Sequence, residues 1–122
     1  MQILIKSLKA ALKMSVLFLP EIQEYYDNLE QILYEKGYFS FLDSSKRYVK
    51  DLIDDIKMDL PTKQYKLAPK IFNKYGSNMK YAAFKKNKNT TWYAFFTTYQ
   101  ENGEKIYLIR YIANNHTIAQ YL

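Results

Sequence analysis

His116 is the only histidine in the chain, so it is the only side chain whose ordinary titration lies near neutral pH. Proton transfer at physiological pH would fall to it before any other residue. Arg47 and Arg110 are the only arginines, and bidentate recognition of a phosphate or carboxylate has no other candidates. Cysteine is absent, which excludes thiolate nucleophiles, disulfides and Cys-built zinc sites, and a single histidine excludes His-rich metal sites. A protein working with neither metal nor cofactor is expected.

Other chemistries find less support in the spacing. Asp51, Asp54, Asp55 and Asp59 cluster in sequence, but Asp51 and Asp55 stand one helical turn apart on what should be the wet face, so they read as a solvated surface. Ser44 and Ser45 have no His/Asp context that would make a nucleophile. Asn89, Thr90 and Thr91 match a glycosylation sequon, idle without export. Gly37, Gly76 and Gly103 are the only glycines and stand far apart, so phosphate-loop and dinucleotide fingerprints are missing.

The elements that must position these residues belong to an ordinary globular composition, with 48% hydrophobic and 25% charged residues among 122. The aromatic share is unusual at 17%, and 13 of those side chains are tyrosines. Charge is divided unevenly. Residues 1–59 carry a net −2, whereas residues 60–122 hold ten bases against only Glu101 and Glu104, a net +8. A clustered basic surface attracts nucleic acid or an acidic protein partner; the same lysines would also serve merely to solubilise an apolar sheet. Met1 to Lys13 reads as a basic amphipathic extension whose lysines interrupt any secretory apolar block. Neither it nor the uncharged run Met14–Pro20 approaches the roughly 20 apolar residues of a membrane span.

From residue 14 to 122 a single domain is expected. Ser15–Leu19 suits a buried strand ended by Pro20, which then opens a helix. Ile22, Tyr25, Tyr26, Leu29, Ile32 and Leu33 fall on one face of that helix, and Gly37 stops it. Ser40 is the expected cap of a second helix, with Asp43 in a shortened capping box, an apolar line from Phe41 through Ser45, Val49 and Ile56 to Leu60, and Pro61 as the end. A lysine-bearing connection, with a helical turn after Pro69, leads to three strand-like runs at 79–84, 90–99 and 105–113. The segments 86–89 and 101–104 are the hairpin turns between them. The fold class is α+β: an N-terminal helical hairpin packed on one face of an antiparallel β-sheet, in the order β-α-α-β-β-β. The opposite face is expected to stay aromatic, partly wet and free for a ligand or partner.

Leu19-Pro20-Glu21-Ile22 opening the first helix, Lys66-Leu67-Ala68-Pro69 before the sheet, Tyr81-Ala82-Ala83-Phe84 as a strand and Ile106 to Ile112 as the last strand together resemble the RelE/ParE toxins of bacterial type II toxin–antitoxin pairs, from about Val16 to the C-terminus. The resemblance implies a small basic cytoplasmic protein neutralised by an acidic antitoxin. RelE-like members cleave messenger RNA on the ribosome without a metal and so arrest growth; ParE-like members act instead on DNA gyrase without cleaving RNA. Both functions stay open, a ribonuclease and a non-nucleolytic binding module.

Residue by residue, Arg110 looks like the family arginine of the last strand, which neutralises the scissile phosphate, a role in keeping with charge stabilisation at phosphorus. Its structural alternative is an ion pair with Glu101 or Glu104. Tyr121 resembles the tail tyrosine of the nucleases, and His116 stands near the family histidine; with Arg110 they form the expected catalytic set. Lys80, Lys85, Lys86 and Lys88 would then hold the RNA backbone, and Trp92, Tyr93 or Tyr99 would stack on bases. The pattern also departs from the family, because Ala82 follows Tyr81 where many members have arginine, and Ala113-Asn114-Asn115-His116 replaces a histidine with paired bases.

Overall fold

Apolar residues at helical spacing behind Pro20 build α1 (Pro20–Glu35), and a second such series builds α2 (Leu42–Asp59), in the computed structural model, which describes residues 13–37 and 39–122. The expected extension 1–13 lies, apart from Lys13, outside the described residues. Gly37 follows α1 at φ 78°, a left-handed stop that a glycine adopts without strain. Ser40 does not cap α2. Phe41 takes the cap position with extended backbone and no side-chain bond, and it is 71% exposed, because helical spacing carries no meaning one residue outside the helix. Ser45 is buried, its hydroxyl donating to the Glu30 carbonyl and tying α2 to α1.

The strands are β1 (Met14–Phe18), β2 (Lys66–Leu67), β3 (Lys80–Asn87), β4 (Thr90–Glu101) and β5 (Glu104–Asn114), arranged β1-β5-β4-β3-β2. The molecule is therefore α+β with a five-stranded sheet. The long strands form the expected antiparallel meander, but β1 runs parallel to β5, so the sheet is mixed rather than antiparallel. No hairpin turn joins β1 to β5, so nothing local dictates its direction. Its register sets Val16 beside Tyr107 and Phe18 beside Ile109, putting its apolar side against the helices. β2 is too short to carry a periodic signal. The β4–β5 turn has Asn102 and Gly103 at φ 51° and 76°, as a tight primed hairpin turn requires.

Each sheet face carries a core. On one, Ile22, Tyr26 and Leu29 of α1 and Val49, Leu52 and Ile56 of α2 meet Trp92, Ala94, Phe96 and Ile109. The other face, expected from the sequence to stay free for a ligand or partner, is instead partly covered. Phe72, from the helical turn Lys70–Tyr75, packs with Met79, Phe95, Ala113 and Ile118. The lysine-bearing connection contributes Phe72 and the partly buried Tyr75 to this second core, with the Phe72 and Phe95 rings 4.6 Å apart. Among the described residues, no helix is long and apolar enough to cross a membrane.

Candidate functional site

Arg110 is the extra residue of a β-bulge. Phe95 pairs with Tyr111 and Phe96 with Ile109, which leaves Arg110 without a partner on β4. A bulge re-aims side chains: strict alternation would send Arg110 and Tyr111 to opposite faces, yet Tyr111 packs in the far-face core beside Phe95 while Arg110 reaches Thr97 and Tyr99. Alternation along β4 sets Thr97 and Tyr99 on one side of the strand, two residues apart.

The Arg110 contacts are specific. Nε donates to the Thr97 hydroxyl at 2.9 Å, and Nη2 donates to the Tyr99 phenol oxygen at 2.7 Å. The Thr97 hydroxyl donates in turn to Tyr99 at 3.2 Å. Among the described residues the ion pairs are Lys50–Asp54 and Lys86–Asp55, so Arg110 has neither Glu101 nor Glu104 as a partner. Among the described residues, the Nη1 donors take part in no hydrogen bond. Gly76 lies under the side chain, since a Cβ there would sit 2.7 Å from Arg110 Cδ. The hydrogen bonds from Thr97 and Arg110 favour the phenolate, and they hold the Tyr99 pKa below its ordinary value. Beside this cluster Tyr75 and Tyr111 stack at 3.9 Å, and the Tyr111 pKa is pushed up to about 12, first by burial and then by Tyr75.

His116 and Tyr121 are elsewhere. His116 lies in α3 (Asn115–Ile118), the short C-terminal helix, where its ring Nε2 is 3.2 Å from the Thr90 hydroxyl and its backbone N–H donates to the Asn114 side chain. It borders a cleft lined by α1 and α2 residues, on the helix side of the sheet. Tyr121 is exposed, edge-on to Phe72 at 6.5 Å. No hydrogen bond joins Arg110, His116 and Tyr121 among the described residues.

The expected nucleic-acid contacts divide in the same way. Lys85 and Lys88 are exposed. Lys80 is half-buried, its Nζ 4.8 Å from the Tyr65 ring centre. Lys86 is bound to Asp55 at 3.3 Å and lies over the Tyr48 ring. Trp92 is 2% exposed and donates from its indole N–H to the Tyr48 hydroxyl at 2.8 Å, so it offers no ring face to a base. Tyr93 is half-buried, its ring meeting that of Tyr81 edge-on at 5.9 Å. Tyr99, named from sequence only as a stacking side chain, is the direct partner of Arg110. Thr97 and Gly76 were not legible as site residues; the only signal was the Thr-x-Tyr alternation on β4.

The arrangement is an α+β domain whose mixed sheet carries an arginine hydrogen-bonded to Thr97 and Tyr99. Compared with protein-family models, curated proteins and solved structures, the chain matches none.

Proposed function

We propose that this chain is the toxin component of a type II toxin–antitoxin pair of the RelE/ParE kind, a cytoplasmic metal-independent endoribonuclease that cuts messenger RNA and is held by an acidic antitoxin. One observation carries the reading: the Arg110 guanidinium, free of any carboxylate among the described residues, is fixed by Thr97 and Tyr99 with donors to spare. The strand–helix–helix–strand order and the +8 charge of residues 60–122 support it.

In this reading Arg110 binds a non-bridging phosphate oxygen and stabilises the charge that builds at phosphorus. Tyr99 acts as the phenolate that the Thr97 and Arg110 donors favour, and it accepts the 2′-hydroxyl proton to become the neutral phenol. The 2′-oxygen then bonds to phosphorus, the bond to the 5′-oxygen breaks, and that oxygen takes a proton from water, giving a cyclic phosphate and a 5′-hydroxyl end.

A second reading, a ParE-like protein acting on DNA gyrase without cleavage, is favoured by the placement of His116 beside Thr90, on a cleft away from Arg110. Inducible expression separates the two. Growth arrest with cut messages, abolished by Arg110→Ala and by Tyr99→Phe but not by His116→Ala, is the expected result. Arrest with intact messages and altered plasmid supercoiling selects the gyrase reading, and absence of arrest rejects both.

A further inference from the structure

A cleft of about 530 Å³ opens on the helix side of the sheet, away from Arg110. Leu29, Ile32 and Leu33 of α1 line it with Phe39, Tyr48 and Trp92. Cavities of this size and apolar character are typical of small-molecule sites. Its walls are already satisfied as polar structure: the Trp92 indole N–H is taken up by Tyr48. Its rim is built in advance, because the Asn115 side chain accepts from the Thr91 N–H at 2.9 Å and donates to the Asn89 carbonyl at 3.1 Å, pinning α3 to the β3–β4 hairpin. Ile32 stands 36% exposed on this wall, apolar surface that a ligand would cover.

The rim fixes the sign of the ligand. Lys36, His116, Thr90 and Asn87 border the opening, and among the described residues no carboxylate lines it. A cation or a neutral polar molecule would find no acid there, whereas an anionic head would find an ammonium and several neutral donors. The rings of Phe39 and Tyr48 in its wall suit a flat apolar body, with Trp92 buried behind them.

We infer that this cleft binds a small amphipathic organic anion, an aromatic body carrying a carboxylate or sulfonate that faces Lys36 and His116. The inference stands independently of the toxin reading, since it uses none of the Arg110 cluster.

Trp92 is the only tryptophan and lines the cleft, so it reports occupancy directly. The probe is 8-anilinonaphthalene-1-sulfonate, with the uncharged N-phenyl-1-naphthylamine as control, titrated into the folded full chain. The expected result is saturable one-to-one binding with energy transfer from Trp92. Lys36→Ala should weaken the sulfonate by about twofold to fivefold and leave the uncharged probe unaffected. Ile32→Glu, at an exposed position, should weaken the sulfonate by about tenfold or more while circular dichroism and melting stay those of the parent. Non-saturable binding, or affinities equal in all three proteins, overturns the proposal. So does a dimer that Ile32→Glu dissociates, because the occupant would then be a second copy of the chain.

Discussion

Arg110 Nη2 donates to the Tyr99 phenol oxygen at 2.7 Å, and the same guanidinium holds the Thr97 hydroxyl through Nε. Two donors thus converge on one exposed oxygen, with no carboxylate among the described residues to neutralise the arginine. The Thr97 and Arg110 bonds stabilise the phenolate, so Tyr99 loses its proton below the ordinary phenol range. Phenolate absorbance followed against pH should show one tyrosine titrating ahead of the others. Tyr99→Phe should remove that early component, and Arg110→Met should move it only part of the way back, because the Thr97 hydroxyl still donates to Tyr99. In stability terms the contribution is full above the unfolded phenol pKa and is lost as pH falls through the lowered folded value. A titration curve unchanged in both variants would show that the pair is not formed in solution.

Gly76 gives Arg110 its path across the sheet. An alanine methyl would meet Arg110 Cδ at 2.7 Å, and the flexible side chain, rather than backbone, is the group that must move. Gly76→Ala should therefore shift the guanidinium off Thr97 and Tyr99, moving the Tyr99 titration upward and reducing any activity that depends on Arg110. Full retention of both would mean that the side chain has room to pass elsewhere.

Tyr26 is 1% exposed, and its hydroxyl has no hydrogen-bond partner among the described residues. An unpaired buried hydroxyl costs about 1–3 kcal/mol of desolvation. Tyr26→Phe keeps the ring, including its edge-on contact with Phe18 at 5.4 Å, and should stabilise the fold by about 1 kcal/mol in a denaturant titration. Burial also pushes the Tyr26 pKa up, and that of Tyr111 to about 12. A raised phenol favours the fold below its unfolded pKa, and the benefit disappears as pH rises through the folded value. Unfolding in alkali should accordingly begin above the ordinary phenol pKa, and Tyr26→Phe should postpone it.

The indole of Trp92 depends on Tyr48 for its partner. Tyr48→Phe strands a buried N–H and should cost about 1–3 kcal/mol. Because Trp92 is the sole tryptophan, its emission follows that unfolding without interference. Lys86→Met would remove the ammonium over the Tyr48 ring and the partly exposed Asp55 pair, and it should cost less, no more than about 1 kcal/mol.

Periodicity was enough to find α1, α2 and the three long strands, because each buries a repeating stripe and stops at a proline, a glycine or a polar turn. It failed where no repeat exists. β2 is two residues long, the direction of β1 is set by the partner it meets rather than by any turn, and Ser40 competes with Phe41 for a cap position that only the path of the chain decides. The second core was hidden for a related reason: Phe72 is one aromatic in a lysine-rich stretch, and its burial depends on Phe95, distant in sequence.

The same division runs through the candidate site. Residue types alone made Arg47, Arg110 and His116 the side chains to watch, since scarcity of arginine and histidine is a property of composition; only the resemblance in the last strand set Arg110 before Arg47. Sequence also set the basic character of the second half. Which groups meet was decided by the tertiary structure. One unpaired residue in the β5 register turns Arg110 and Tyr111 toward one face, brings the guanidinium to Thr97 and Tyr99, and leaves His116 with Thr90. A bulge is a mismatch between two strands, so neither strand's own sequence contains it.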